Sequence, residues 1–222
     1  MRYAKSMVLF AMLVLAAQGL APSAHAQAVL PNIFGGATYG EWSARWWQWA
    51  LSIPTAVNPI LDTTGANCAQ EQVDDVWFLA GNFGGTVTRA CTIPAGKRIF
   101  FPLINNIGFK PFGFETLNDL RNLAAGFINS VTALSCTLDN AACTTANLSN
   151  FRVRSPSFTV KAPAHALLPP GFLRVPGNTD SIVSDGYWVL LSPLASGTHT
   201  LNFTATTSGG FSLNVTYNIT VP

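Results

Sequence analysis

The sequence predicts a mainly β protein, an antiparallel, jelly-roll-like β-sandwich decorated with two α-helices. Three observations predict it. The C-terminal stretch FSLNVTYNITV alternates without a break: Phe211, Leu213, Val215, Tyr217, Ile219 and Val221 face one way, with Ser, Asn and Thr the other. Period-two alternation marks a half-buried antiparallel strand. THTLNFTAT alternates as well and TSGG joins the two, so they form a hairpin. Short apolar runs such as VWFLAG, RIFFPLI and YWVLLSP bring the total to seven or eight strands, the count of a sandwich.

The N-terminal residues read as an export signal. Arg2 and Lys5 precede the apolar run MVLFAMLVLAA, and APSAHA supplies small residues around a cleavable bond. The run has 11 residues, and a bilayer-spanning helix needs about 20. Cleavage after Ala26 makes residues 1–26 the signal peptide and 27–222 a single domain, with no transmembrane segment left. The expected location is secreted or periplasmic. Loss of Arg2 and Lys5 leaves ten basic against ten acidic side chains, scattered rather than clustered. Nucleic acid, which demands a basic surface, is excluded as a partner. His25 leaves with the signal, so only His165 and His199 remain for imidazole chemistry.

Cys68, Cys91, Cys136 and Cys143 all lie in the exported part. An even count in an oxidising compartment indicates two disulfides. Of three possible pairings, Cys68–Cys91 and Cys136–Cys143 each close a local loop. On a chain-entropy estimate they contribute about 3.5 and about 2.5 kcal/mol. Without C-x-x-C or clustered histidines, no metal site is assigned.

The first helix is expected over 39–53. Thr38 and Glu41 form an S/T-x-x-E capping box, and Pro54 disfavours helix in the residue before it. At about 100° per residue, Trp42, Trp46, Trp49 and Ile53 share a stripe. Glu41, Arg45, Gln48 and Ser52 share a narrow polar one, and Trp47 points away from both, beside Leu51. Three buried tryptophans give on the order of 10 kcal/mol of gross stabilisation, so Trp42, Trp46 and Trp49 read as an anchor. The alternative is a surface for stacking on sugar rings, and off-stripe Trp47 is its best candidate, with Arg45 and Gln48 of the polar stripe as further binding candidates.

Strands follow. TVTRACTIPAGKRIFFPLIN reads as two of them around Ile93-Pro94-Ala95-Gly96, a type I turn with proline second and glycine fourth. RIFFPLI is apolar on both faces and therefore buried, with Pro102 at an edge or bulge. A second helix is expected over 115–134, from apolar residues at Leu117, Leu120, Leu123 or Ala124, Phe127, Val131 and Leu134. Residues 136–150 read as a disulfide-closed polar loop, FRVRSPSFTV as strand, and APAHALLPPGFLRVPGN as irregular loop.

The block YGEWSARWWQWALSIP…NPILDTTGANCAQ…VWFLAG…TRACTIPAGKRIFFPLIN, with DGYWVLLSPLASGTHTLNF, resembles a family of secreted prokaryotic proteins. That family has no established activity, so the resemblance implies export and a single domain but assigns no catalytic residue.

Function is open among three classes. The leading expectation is a module that binds a carbohydrate or other extracellular ligand without catalysis, using Trp47, Arg45 and Gln48. Its partner would be an extracellular glycan or a cell-envelope component. The second is a carboxylate-dependent glycan hydrolase or lyase, since paired carboxylates can act as acid and base. Its candidates are Glu41, Asp62, Asp75, Asp185 and His199, with Glu71 and Asp74 in the same acidic set. DTTG and SDG serve equally well as turns in which Asp bonds its own backbone. The third class is an envelope-associated structural protein. No cofactor is called for; the oxygen-rich acidic loops leave calcium as the one ion to consider.

Overall fold

The computed structural model describes residues 28–29, 33–72, 74–109, 116–161, 163, 167 and 181–222. Among the described residues, ten strands run β1 Ala28–Val29, β2 Val76–Phe78, β3 Gly85–Thr92, β4 Arg98–Gly108, β5 Val131–Leu138, β6 Ala141–Ala142, β7 Arg152–Arg154, β8 Val183–Leu191, β9 Gly197–Thr207 and β10 Ser212–Val221. Two helices, α1 Tyr39–Ser52 and α2 Leu117–Ile128, accompany them.

The strands make two five-stranded sheets. The first has the order β1-β8-β4-β2, with β7 pairing the same edge of β8 as β1; the second has the order β3-β10-β9-β5-β6. The sandwich and its two helices stand, with mixed strand orientation: β2 runs parallel to β4, and β3 parallel to β10. The C-terminal hairpin β9–β10 forms as the alternation dictates, from Ser212↔Thr206 to Val221↔Gly197.

Between the sheets, Phe101, Leu103, Val189 and Leu191 of the first meet Phe203, Val215, Tyr217 and Ile219 of the second. The Phe101 and Phe203 rings lie 5.0 Å apart. The reverse face of the first sheet holds Phe78, Phe100, Trp188 and Leu190 against α1. With both faces covered, β4 and β8 must be apolar throughout, which accounts for RIFFPLI and YWVLL. Pro102 sits where the β4–β8 register shifts, between Pro102 and Ile104, a bulge position of the kind that accepts proline within a sheet.

Several local expectations are corrected. Strands β3 and β4 flank a turn yet join different sheets. In that turn Lys97 N donates to Pro94 O, and Gly96 is the third residue, with φ 81°, a position that type II turns give to glycine. The second helix stops at Ile128, and Val131 to Leu134 belong to β5 instead. Val131 and Leu134 continue the helical spacing by coincidence, because strand pairing with β9 turns them toward the same core. β-Branched Val131 and Thr132 also favour that outcome. The 136–150 segment is not wholly loop: β5 and β6 form a hairpin through Asp139 (φ 51°) and Asn140 (φ 65°), the two-residue type I′ geometry. Both disulfides form as paired from the sequence, Cys68–Cys91 and Cys136–Cys143.

Among the described residues, no helix is long and apolar enough to cross a membrane.

Candidate functional site

The site begins with how α1 is held. Thr38 Oγ1 accepts from Glu41 N at 3.2 Å, while Glu41 Oε2 accepts from Thr38 N at 2.7 Å. Both halves of the capping box are present. At the other end, buried Asn58 donates to the carbonyls of Ala50 and Ile53 at 2.8 and 2.9 Å. These are carbonyls that a helix end leaves without intrahelical partners. Gly40 packs so close to β7 that a Cβ there would lie 2.4 Å from the Arg154 carbonyl oxygen.

The stripe tryptophans are buried, and each spends its indole N–H on a backbone carbonyl. Trp42 donates to Phe34 at 2.9 Å, Trp46 to Leu79 at 2.9 Å and Trp49 to Gln70 at 2.8 Å. Trp46 and Trp49 lie edge to face at 5.7 Å, and Trp46 meets Trp188 at 5.4 Å. The rings are therefore fixed in orientation as well as position. Trp47 is only 6% exposed. It forms no surface stacking patch, because its ring packs edge to face on Trp46 at 5.1 Å.

The polar stripe of α1 opens on a groove of about 430 Å³. Trp42 and Trp49 line one side; Arg45, Gln48 and Ser52 come from the exposed face of the helix. Glu71 and Asp74 reach it from the loop before β2, and Lys161 from the segment after β7. Arg45 lies over the Trp42 ring with its guanidinium carbon 4.4 Å from the centroid, a cation–π contact. Gln48 Nε2 donates to Thr159 O at 3.0 Å, tying helix to loop. Glu71 (φ 50°) and Asp74 (φ 59°) both hold left-handed backbone, costly for a non-glycine residue and common at functional sites. The site therefore combines aromatic edges, an amide, two cations and two carboxylates.

The remaining sequence candidates lie elsewhere, and Glu41, Asp62, Asp185 and His199 are occupied. Glu41 is the helix cap; the Thr38 amide and hydroxyl hold its carboxyl below the ordinary 4.5. Asp62 closes its own turn, accepting from Thr64 N and Asn67 N, both at 2.8 Å. Desolvation raises its pKa, but these bonds outweigh it and leave the carboxyl below 3.8. Asp75 is exposed and does not line the groove; its neighbour Asp74 does. Asp185 is not a turn residue. It sits inside β8 at 1% exposure and takes Arg152 in a fork, Nε to Oδ1 at 2.8 Å and Nη2 to Oδ2 at 2.9 Å. Arg154 adds a third contact at 3.1 Å.

His199 stands at the rim of the second sheet, Nδ1 2.7 Å from Asp139 Oδ2 and Nε2 2.9 Å from Ala195 O. Both partners are acceptors, so the doubly protonated ring satisfies both. Burial lowers its pKa; the Asp139 carboxylate and Ala195 carbonyl outweigh that and hold it above 6.5. His165 lies outside the described residues. Among the described residues, no three of His, Cys, Asp and Glu gather as metal ligands.

Arg89 is a buried polar residue outside the candidates that sequence pattern alone offers. It is in phase with Val87 and Cys91, the inward set of β3; that phase was the signal available.

No family model and no curated protein matches the chain. Solved structures show a distant likeness. The chain is similar to PbICP-C, from its complex with falcipain-2, at 11% identity over 67% of this chain and 100% of that one, with a TM-score of 0.27. It is similar to EhICP2, the cysteine protease inhibitor from Entamoeba histolytica, at 16% identity, 62% and 94% coverage and a TM-score of 0.23. Amebosin follows at 12% identity, 62% and 96% coverage and a TM-score of 0.22. Likeness at this level carries nothing about function.

Proposed function

We propose that this protein is an exported binding module that holds a carbohydrate in the groove beside α1 without transforming it. The observation that carries this reading is the groove's make-up: two rigidly held indoles beside Arg45, Gln48, Glu71, Asp74 and Lys161. Sugars present apolar C–H faces and a belt of hydroxyls that both donate and accept. The indole edges give those faces apolar contact, and a rim mixing amide, cations and carboxylates suits the hydroxyls. The indole N–H groups are already committed to backbone, so the wall is organised before any ligand arrives. The two disulfides and the N-terminal signal pattern support an extracytoplasmic setting, where glycans are encountered.

The test is a glycan array on the mature chain, followed by incubation of each bound glycan with the protein. Saturable binding with no increase in reducing ends is the expected result. Absence of any glycan binding would overturn the reading.

A second reading, a carboxylate-dependent glycan hydrolase, has one observation in its favour. Glu71 and Asp74 line the same groove, both on left-handed backbone. Turnover that vanishes in both Glu71→Gln and Asp74→Asn would put this reading in place of the first.

A further inference from the structure

The charges around the α1 groove are sorted by sign. Two segments reach the helix there, one at Trp49 and one at Gln48, side chains about 100° apart around the axis. At Trp49 the indole N–H donates to the Gln70 carbonyl at 2.8 Å, and Glu71 and Asp74 enter the groove from that segment. At Gln48 the amide donates to the Thr159 carbonyl at 3.0 Å, and Lys161 enters two residues further on. Arg45 shares the polar stripe with Gln48, so both cations belong to the Gln48 side and both carboxylates to the Trp49 side.

None of the four charges forms an ion pair among the described residues. Arg45 is placed by the Trp42 ring, with its guanidinium carbon 4.4 Å from the centroid. That contact spends none of its five N–H groups on an acceptor. Lys97 donates to the backbone carbonyl of Asp74 and not to its carboxylate. A groove that keeps opposite charges apart and unpaired is complementary to a ligand carrying both. A purely anionic ligand meets Glu71 and Asp74, and a purely cationic one meets Arg45 and Lys161. Like-charge contact of either kind disfavours those partners.

We infer that the glycan selected by this groove is zwitterionic, a sugar chain with a carboxylate on one residue and a free amine on the next. The carboxylate faces Arg45 and Lys161, where the guanidinium fork can hold it through two hydrogen bonds. The ammonium faces Glu71 and Asp74. The inference rests on the glycan reading above and narrows its ligand class.

Four tetrasaccharides separate charge from sugar shape. Chitotetraose is neutral and its de-N-acetylated form cationic; a hyaluronan tetrasaccharide is anionic and its de-N-acetylated form zwitterionic. Each is titrated calorimetrically into the protein at a pH where the sugar amines are protonated. The zwitterion is expected to bind about tenfold more tightly than each of the others, with an advantage that shrinks as salt is added. Arg45→Gln with Lys161→Gln should erase its advantage over the cationic form. Glu71→Gln with Asp74→Asn should erase its advantage over the anionic form. All four side chains are exposed, so melting temperatures should not change. A neutral, anionic or cationic form that matches the zwitterion overturns the inference and leaves the glycan reading standing. Unchanged selectivity in both double variants overturns it as well. So does failure of all four to bind, and the glycan reading falls with it only if the array is also empty.

Discussion

Arg89 carries its charge at 2% exposure with no carboxylate paired to it among the described residues. Its guanidinium donates to the carbonyls of Asp62 at 2.6 Å, Ala80 at 2.8 Å, Gly81 at 3.0 Å and Ile60 at 3.1 Å, and to the Tyr217 hydroxyl at 2.8 Å. One side chain thus ties the loops at 60–62 and 80–81 to strands β3 and β10. Replacement by methionine keeps much of the bulk but strands those carbonyls. Arg89→Met should destabilise by about 3–5 kcal/mol, read as a lower denaturant midpoint with the slope unchanged. His199 acts through pH. Its folded-state pKa lies above 6.5, so its pairing with Asp139 stabilises fully below 6.5. That contribution is lost as pH rises through the folded value. Wild type should lose stability over that interval, and His199→Gln should show a flatter profile when melting is followed from pH 5.5 to 9.

At the scale of elements, α1 was the most legible part of the chain, because its signals are local. Thr38 with Glu41 marks the start and Pro54 the stop, and the structure places the helix at Tyr39–Ser52. Thr38→Ala removes one half of the cap and should cost about 1 kcal/mol, measured by equilibrium unfolding. Asn58, which closes the other end, gave no comparable cue, since its bonds to Ala50 and Ile53 depend on how the chain turns after Pro54. Helix α2 shows the opposite failure. Its apolar spacing runs on through Val131 and Leu134, and only pairing with β9 decides that those residues extend. The hairpin β9–β10 was legible for the same reason as α1: alternation and turn lie within one continuous stretch.

At the scale of the whole molecule, assembly beyond sequence neighbours decides both the sheets and the sites. Alternation showed that β3 and β4 are strands but could not place them in different layers, because their partners β10 and β8 are distant in sequence. The same limit applies to the candidate residues. Arg45 and Gln48 do line a concave site. The carboxylates facing them are Glu71 and Asp74, rather than Asp62, Asp75 or Asp185, and loop geometry alone selects which acids those are. Trp47, set apart from the other three tryptophans by the helical periodicity, is buried in one cluster with them, beside a second cavity, instead of displayed on the surface. Arg45 and Gln48 are exposed, so removing their side chains tests the groove without emptying the core. The most direct measurement is isothermal titration of the tightest glycan found on the array into wild type and into the Arg45→Ala, Gln48→Ala double variant. At least an approximately tenfold loss of affinity with an unchanged melting temperature is the predicted result. Equal affinity in the two proteins would contradict the assignment of the groove as the binding site.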